Sequence, residues 1–196
     1  MNHSALISSC KNKLSELLSM VSATEQAVLN EDEGNRLVLD NINFFTKSFL
    51  LTLCANLETC IKEVIHSIGS DIDAKLTTAN IPLNIVEWKY NTKNKKTQNS
   101  NIQEPFKICM SRKDVDDLVS GNVYRTKDAF LIVGVDLASD LPAWETWKEL
   151  IQSIVTRRNN IVHHNDDASD LSFGDIKTYI RNIDAYLSFI DAACIR

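Results

Sequence analysis

The chain has 196 residues, 44% hydrophobic and 24% charged, enough to bury one core and too few to favour two independent domains. Only 5 Gly and 3 Pro are present, which disfavours turn-rich sandwiches and barrels and points to an all-α fold. A formal charge of -5 excludes a protein that coats nucleic acid by bulk electrostatics, so a phosphate ligand has to be met by a local patch.

The N-terminal MNHSALISSCKNKLSELL interrupts its apolar residues with Lys11, Lys13 and Glu16 and lacks the continuous apolar core of a secretory signal, so no export is expected. From Ala5 to about Leu29, Ile7, Cys10, Leu14, Leu17, Leu18, Val21 and Val28 recur at helical spacing with charges between them, which predicts a first amphipathic helix. The polar cluster Asn30 to Gly34 breaks it. A second helix is predicted from about Asn35 to Ile68, ended by Gly69. Its middle, FLLTLCANLETCIKEVI, should be the best-buried segment, and the most apolar stretch, Phe44 to Leu57, is broken by Thr46, Lys47, Thr52 and Asn56 and falls short of the roughly 20 apolar residues that cross a bilayer.

From about 70 to 127 the periodicity is lost, and Asn91 to Pro105 is polar and lysine-bearing, an exposed loop within an irregular insertion. Ser111 and Asp114 have capping-box spacing, which predicts a short helix over DVDDLVS stopped by Gly121. The segment DAFLIVGVDLASDL fits a helix or, because of Val133 and Val135, a short buried strand; its helical surroundings favour helix. Pro142 suits the first turn of a helix in which Trp144, Trp147, Leu150, Ile151, Ile154, Val155 and Val162 lie largely on one side. A last helix starts at Ser172, with Asp175 in the capping-box position, and carries Ile176, Ile180, Ile183, Leu187 and Ile190. The sum is a single domain over 1–196, an up-and-down bundle of four to five helices with an insertion at about 70–127.

The five cysteines, Cys10, Cys54, Cys60, Cys109 and Cys194, are odd in number and dispersed, without zinc or redox spacing, and read as reduced thiols of a cytoplasmic protein. No phosphate-cradling glycine loop or serine elbow is present, and no cofactor is expected. A metal cluster drawn through His163, His164, Asp166 and Asp167 is disfavoured because adjacent histidines on a helix diverge.

One segment concentrates chemistry. TRRNNIVHHNDD, Thr156 to Asp167, places an arginine, an asparagine and a histidine at the polar end of an apolar helix. Asn159 and His163 are four apart and share a helical face, whereas Arg158 lies well round the helix and must reach in or meet a partner subunit. Arg157, Arg158 and His163 would equally suit a helix C-terminus as dipole partners and caps.

The RNNIVH run at 158–163, a buried helix before it (Phe49 to Ile65), a long insertion between the two and an amphipathic helix after it resemble the HEPN superfamily. The likeness is to the RiboL-PSP/MAE-type endoribonucleases of prokaryotic defence and toxin systems. It covers most of the chain except about 70–127. The resemblance implies a helical bundle, a homodimer whose two motifs face each other across a cleft, and metal-independent RNA cleavage carried by Arg158, Asn159 and His163. In such chemistry a histidine moves the proton of the 2′-OH or of the leaving oxygen, and an arginine fork grips the phosphorane. Asn159 would orient His163 or bind phosphate, since an amide does no acid-base work.

Glu58, inside the apolar run ANLETCI, needs a cation if buried, and Arg158 is the obvious candidate, unless Glu58 faces solvent. His164 touches RNA or merely begins a loop. Lys89, Lys93, Lys95 and Lys96 with Trp88 and Tyr90 form a local basic patch with aromatics that could contact RNA, with Arg157 as a further cation, or form a solvated loop. The expected function is an endoribonuclease acting on tRNA or mRNA, with an antitoxin or defence-system protein as partner and no membrane. The alternatives are a catalytically inactive HEPN module that binds RNA, a nucleotide or a protein, and a helical interaction protein unrelated to HEPN.

Overall fold

The computed structural model describes residues 3–30, 36–90, 105–163 and 169–195. Among them are eight helices and no strand: α1 (His3–Leu29), α2 (Arg36–Leu39), α3 (Ile42–Ala79), α4 (Leu83–Tyr90), α5 (Arg112–Leu118), α6 (Val123–Ile132), α7 (Leu141–His163) and α8 (Phe173–Ile195). The long helices α1, α3, α7 and α8 pack on one another as a four-helix bundle. The small helices α5 and α6 lie against α3 and α7. This is the all-α bundle that the composition and periodicity predict. No described helix is long and apolar enough to cross a membrane.

The core is the set of apolar stripes read in the sequence. Ile7, Leu14, Leu17 and Val21 of α1 meet Leu50, Leu53, Leu57, Ile61 and Ile65 of α3 and Ile176, Ile180, Ile183 and Leu187 of α8, all buried. Helices α1 and α8 run antiparallel, as their polar pairs show: Ser4 to Asp191 (2.7 Å), Lys11 to Asp184 (3.4 Å) and Lys177 to Glu25 (2.6 Å). Helix α8 opens on the predicted capping box. The Ser172 amide and hydroxyl donate to the Asp175 carboxylate (2.9 and 2.6 Å), and the Asp175 amide donates back to the Ser172 hydroxyl (3.1 Å).

Four boundaries differ from the sequence reading, the first being the start of the second predicted helix, which is broken at Asp40 and Asn41 into α2 and α3. Helix α3 does not stop at Gly69 but runs on to Ala79, where Asn80 takes the left-handed conformation (φ 49, ψ 45) and its amide donates to the carbonyls of Leu76 and Thr77. Asn serves as the αL cap here in place of Gly. Gly69 is instead a close-packing position, because a Cβ on it would lie 2.6 Å from the Met110 sulfur. The region 70–127 is therefore not irregular throughout, for it holds the last turns of α3, then α4, α5 and the start of α6. Helix α6 starts at Val123, earlier than the break near Lys127 suggests, because Asn122 caps it, accepting from the Tyr124 and Arg125 amides (2.9 and 3.2 Å). It ends at Gly134 (φ +81) in a Schellman turn, with the Val135 amide donating to the Phe130 carbonyl (2.9 Å). The β-branched Val133 and Val135 are buried at this helix end rather than in a strand.

Helix α5 is the predicted capped helix, with both halves of the Ser111–Asp114 box formed. Val115 and Val119 anchor it in the core. Two cations tie it to α3: Lys62 bridges Glu58 (2.8 Å) and Asp116 (3.0 Å), and Arg112 pairs with Glu63. These contacts fix the chain from 119 to 123 against the bundle.

Candidate active site

Helix α7 presents the motif through the continuation of its own apolar stripe. Ile151, Ile154 and Val155 are buried, and Arg158 follows seven positions after Ile151 and three after Val155, so it falls on the inward side. Ile161 takes the next buried place, while Val162 and Leu150, expected in the stripe, are exposed. At about 100° per residue, Asn159 stands about 100° round from Arg158 and His163 about 140°. Arg158 and Asn159 are half-buried and His163, on the last turn, is exposed.

Arg158 and Asn159 line a cleft of about 220 Å³ together with Cys54, Leu57 and Glu58 of α3, Gly121, Asn122 and Thr126 by the start of α6, and Tyr186 of α8. His163 does not line it. The Arg158 Nη1 donates to the Asn159 Oδ1 at 3.0 Å, which leaves the Asn159 amide nitrogen facing away as a free donor. The backbone at 120–122 forms one wall, close enough to α7 that a Cβ on Gly121 would touch Val155 at 3.4 Å.

Glu58 lines the same cleft as Arg158, as the sequence suggests, but its ion-pair partner is Lys62, one turn along α3 at 2.8 Å, not Arg158. The reason is geometric: Lys62 shares a face with Glu58 and is also held by Asp116 (3.0 Å). Arg158 is thus left without a carboxylate of its own among the described residues. Burial pushes the Cys54 thiol up to about 12, an effect opposed by the positive charge of Arg158 and reinforced by the negative charge of Glu58.

The other candidates lie elsewhere. Arg157 sits on the outer side of α7 and pairs with Asp170 at the approach to α8. Lys89 is exposed on α4 beside the exposed Trp88 and Tyr90; Lys93, Lys95, Lys96 and His164 fall outside the described residues. Among the described residues no three His, Cys, Asp or Glu side chains group as metal ligands.

Two residues of the cleft escaped the sequence reading. Tyr186 is fully buried and its ring packs on Trp147 and Phe189 (centroids 6.1 Å from each), yet its hydroxyl has no hydrogen-bond partner. Burial pushes that phenol well above its ordinary range. Its signal in the sequence is a hydroxyl inside the stripe Ile183, Leu187, Ile190. Asn122 was masked by Gly121, which reads only as a helix stop.

A four-helix bundle with an Arg-Asn-x-x-x-His motif closing its third long helix defines the HEPN class. The chain belongs to the RiboL-PSP-HEPN family, whose model matches residues 7–196. No curated protein and no solved structure matches it.

Proposed function

We propose that this chain is a metal-independent endoribonuclease of the toxin–antitoxin or phage-defence kind, working as a homodimer with a site shared between subunits. Family membership supports an RNA-directed role. The observation that carries the finer reading is the division of the motif: Arg158 and Asn159 line the cleft, while His163, one turn beyond Asn159, is exposed at the end of the helix and does not line it. One protomer therefore offers a phosphate grip and a proton-transfer group that do not meet. A second copy, packed with its own last turn of α7 over the cleft, would supply the missing histidine.

The roles follow from the side chains. The Arg158 fork binds two non-bridging phosphate oxygens and stabilises the charge that builds on the phosphorane. The Asn159 amide, aligned by its contact with Arg158, donates to the same phosphate. The His163 imidazole moves the proton, taking it from the 2′-OH or giving it to the departing 5′ oxygen. The 2′ oxygen bonds to phosphorus, the bond from phosphorus to the 5′ oxygen breaks, and the products are a 2′,3′-cyclic phosphate and a 5′-hydroxyl. An antitoxin or other defence protein that covers the α7 end would silence such an enzyme.

The same separation of Arg158 from His163 favours, as a second reading, a silent module that binds RNA, a nucleotide or a protein. Mixing distinguishes the two. In a shared site, Arg158→Ala and His163→Ala proteins are each inactive, and re-association of the two restores cleavage because one of the two sites regains both groups. Failure of the mixed dimer to cleave, with both single variants folded and dimeric, would remove the shared site.

A further inference from the structure

We infer that the cleft beside Arg158 is a base pocket that takes one unpaired guanine. The inference rests on the RNA-directed reading for its setting but not on cleavage. At about 220 Å³ the cleft is smaller than the ~300–1,000 Å³ sites that enclose drug-sized ligands, and it suits one flat ring system. Its walls are apolar: Leu57 and Ile61 from α3, Val123 by α6, and Ile151 and Val155 from α7. Such walls pack on the faces of a base, and the polar groups between them decide which base.

Those groups form a specific set. Glu58 is an acceptor; Lys62 binds its Oε1, which leaves the other oxygen and the remaining lone pairs available. Tyr186 is the opposite case, a rigid, fully buried hydroxyl with no partner in the protein. That hydroxyl is itself closed to solvent, so Tyr186 bounds the cleft without offering the base a donor. The Asn122 Oδ1 is used by the α6 amides, so its Nδ2 remains as a donor. An acceptor that can take two neighbouring N–H groups, with an amide donor in the same cleft, complements the Watson–Crick edge of guanine, where N1–H and N2–H adjoin O6. Adenine offers no carbonyl there, and uracil and cytosine each bring only one ring or exocyclic nitrogen donor to the carboxylate. Arg158 and Asn159, half-buried at the rim, would then hold the phosphate attached to that nucleotide. An unstacked base read on its Watson–Crick edge is how proteins commonly select single-stranded RNA.

The test is binding, made with His163→Ala protein so that RNA is not consumed. Titration calorimetry with GMP, AMP, CMP and UMP, and with single-stranded pentanucleotides that differ only in a central G, A, C or U, should show guanine favoured roughly tenfold or more, the scale of one good bidentate contact. Preference in the pentanucleotides alone assigns the pocket to RNA, and preference in GMP alone assigns it to a free nucleotide. Glu58→Gln in the same background should abolish the preference. Equal binding of all four bases in both series, or a guanine preference that survives Glu58→Gln, overturns the pocket. The outcomes separate from those of the nuclease reading: RNA cleaved without guanine selectivity sinks the pocket alone, and guanine bound selectively by a protein that never cleaves sinks the nuclease alone.

Discussion

Replacing Arg158 by alanine separates a functional arginine from a structural one. Had Arg158 been the cation for Glu58, its removal would leave a carboxylate unpaired in the cleft, at a cost of about 3–5 kcal/mol. Glu58 is instead paired with Lys62 at 2.8 Å, and the hydrogen bond that Arg158 loses is to the amide of Asn159, itself half-buried. The expected loss of stability is therefore about 1 kcal/mol or less. The effect on catalysis should be far larger: loss of a charged donor to the phosphorane costs about 10²–10³ in rate, or roughly 2.7–4 kcal/mol. Arg158→Lys should recover only part of it, because an ammonium lacks the planar fork. Urea unfolding followed by circular dichroism gives the first quantity, and single-turnover cleavage of a labelled RNA gives the second. A destabilisation of about 3 kcal/mol or more with rate nearly intact would show that Arg158 holds the bundle together and does not serve the substrate.

Further perturbations probe the scaffold. Ile183→Ala, at a position with 0% exposure, should cost about 2–5 kcal/mol in chemical unfolding. Ser172→Ala removes the hydroxyl that accepts from the Asp175 amide and donates to its carboxylate in the α8 capping box and should cost about 1 kcal/mol. That box also sets an acid response: contacts from Ser172 hold the Asp175 carboxyl below the usual carboxylate range, so its contribution is present above the unfolded pKa of about 3.9 and is lost as pH falls through the lower folded value. The stability gap between the wild type and Asp175→Asn should therefore close below about pH 4 in acid titrations. Cys109, exposed, should be alkylated by iodoacetamide well before Cys54, whose thiol is buried and raised to about 12, as peptide mass spectrometry would show.

The bundle was legible because its information is periodic. The α1, α7 and α8 stripes repeat at helical spacing over about four to six turns, and the Ser111–Asp114 and Ser172–Asp175 boxes mark two helix starts by residue type alone. Gly69 misled because a glycine signals both a helix stop and a close approach, and only the position of Met110 shows which applies. At the site, the RNNIVH run identifies the helix end and the class. The partner of Glu58 was legible in principle, since Lys62 stands four residues on along the same helix; only the hold of Asp116 on Lys62 needed the structure. The cleft itself was not legible, since its walls come from residues as distant as Cys54, Asn122 and Tyr186. A tyrosine in an apolar stripe looks like core until its hydroxyl is found without a partner.

The most direct test of the account is cleavage of a defined RNA in EDTA by wild-type and His163→Ala proteins, purified in parallel, with the product ends identified by mass spectrometry. The account predicts that the wild type cleaves undiminished by EDTA, leaving a 2′,3′-cyclic phosphate and a 5′-hydroxyl. It also predicts no reaction with His163→Ala or with a 2′-deoxy substitution at the scissile nucleotide. Equal cleavage by His163→Ala, or cleavage that requires Mg²⁺, would contradict it.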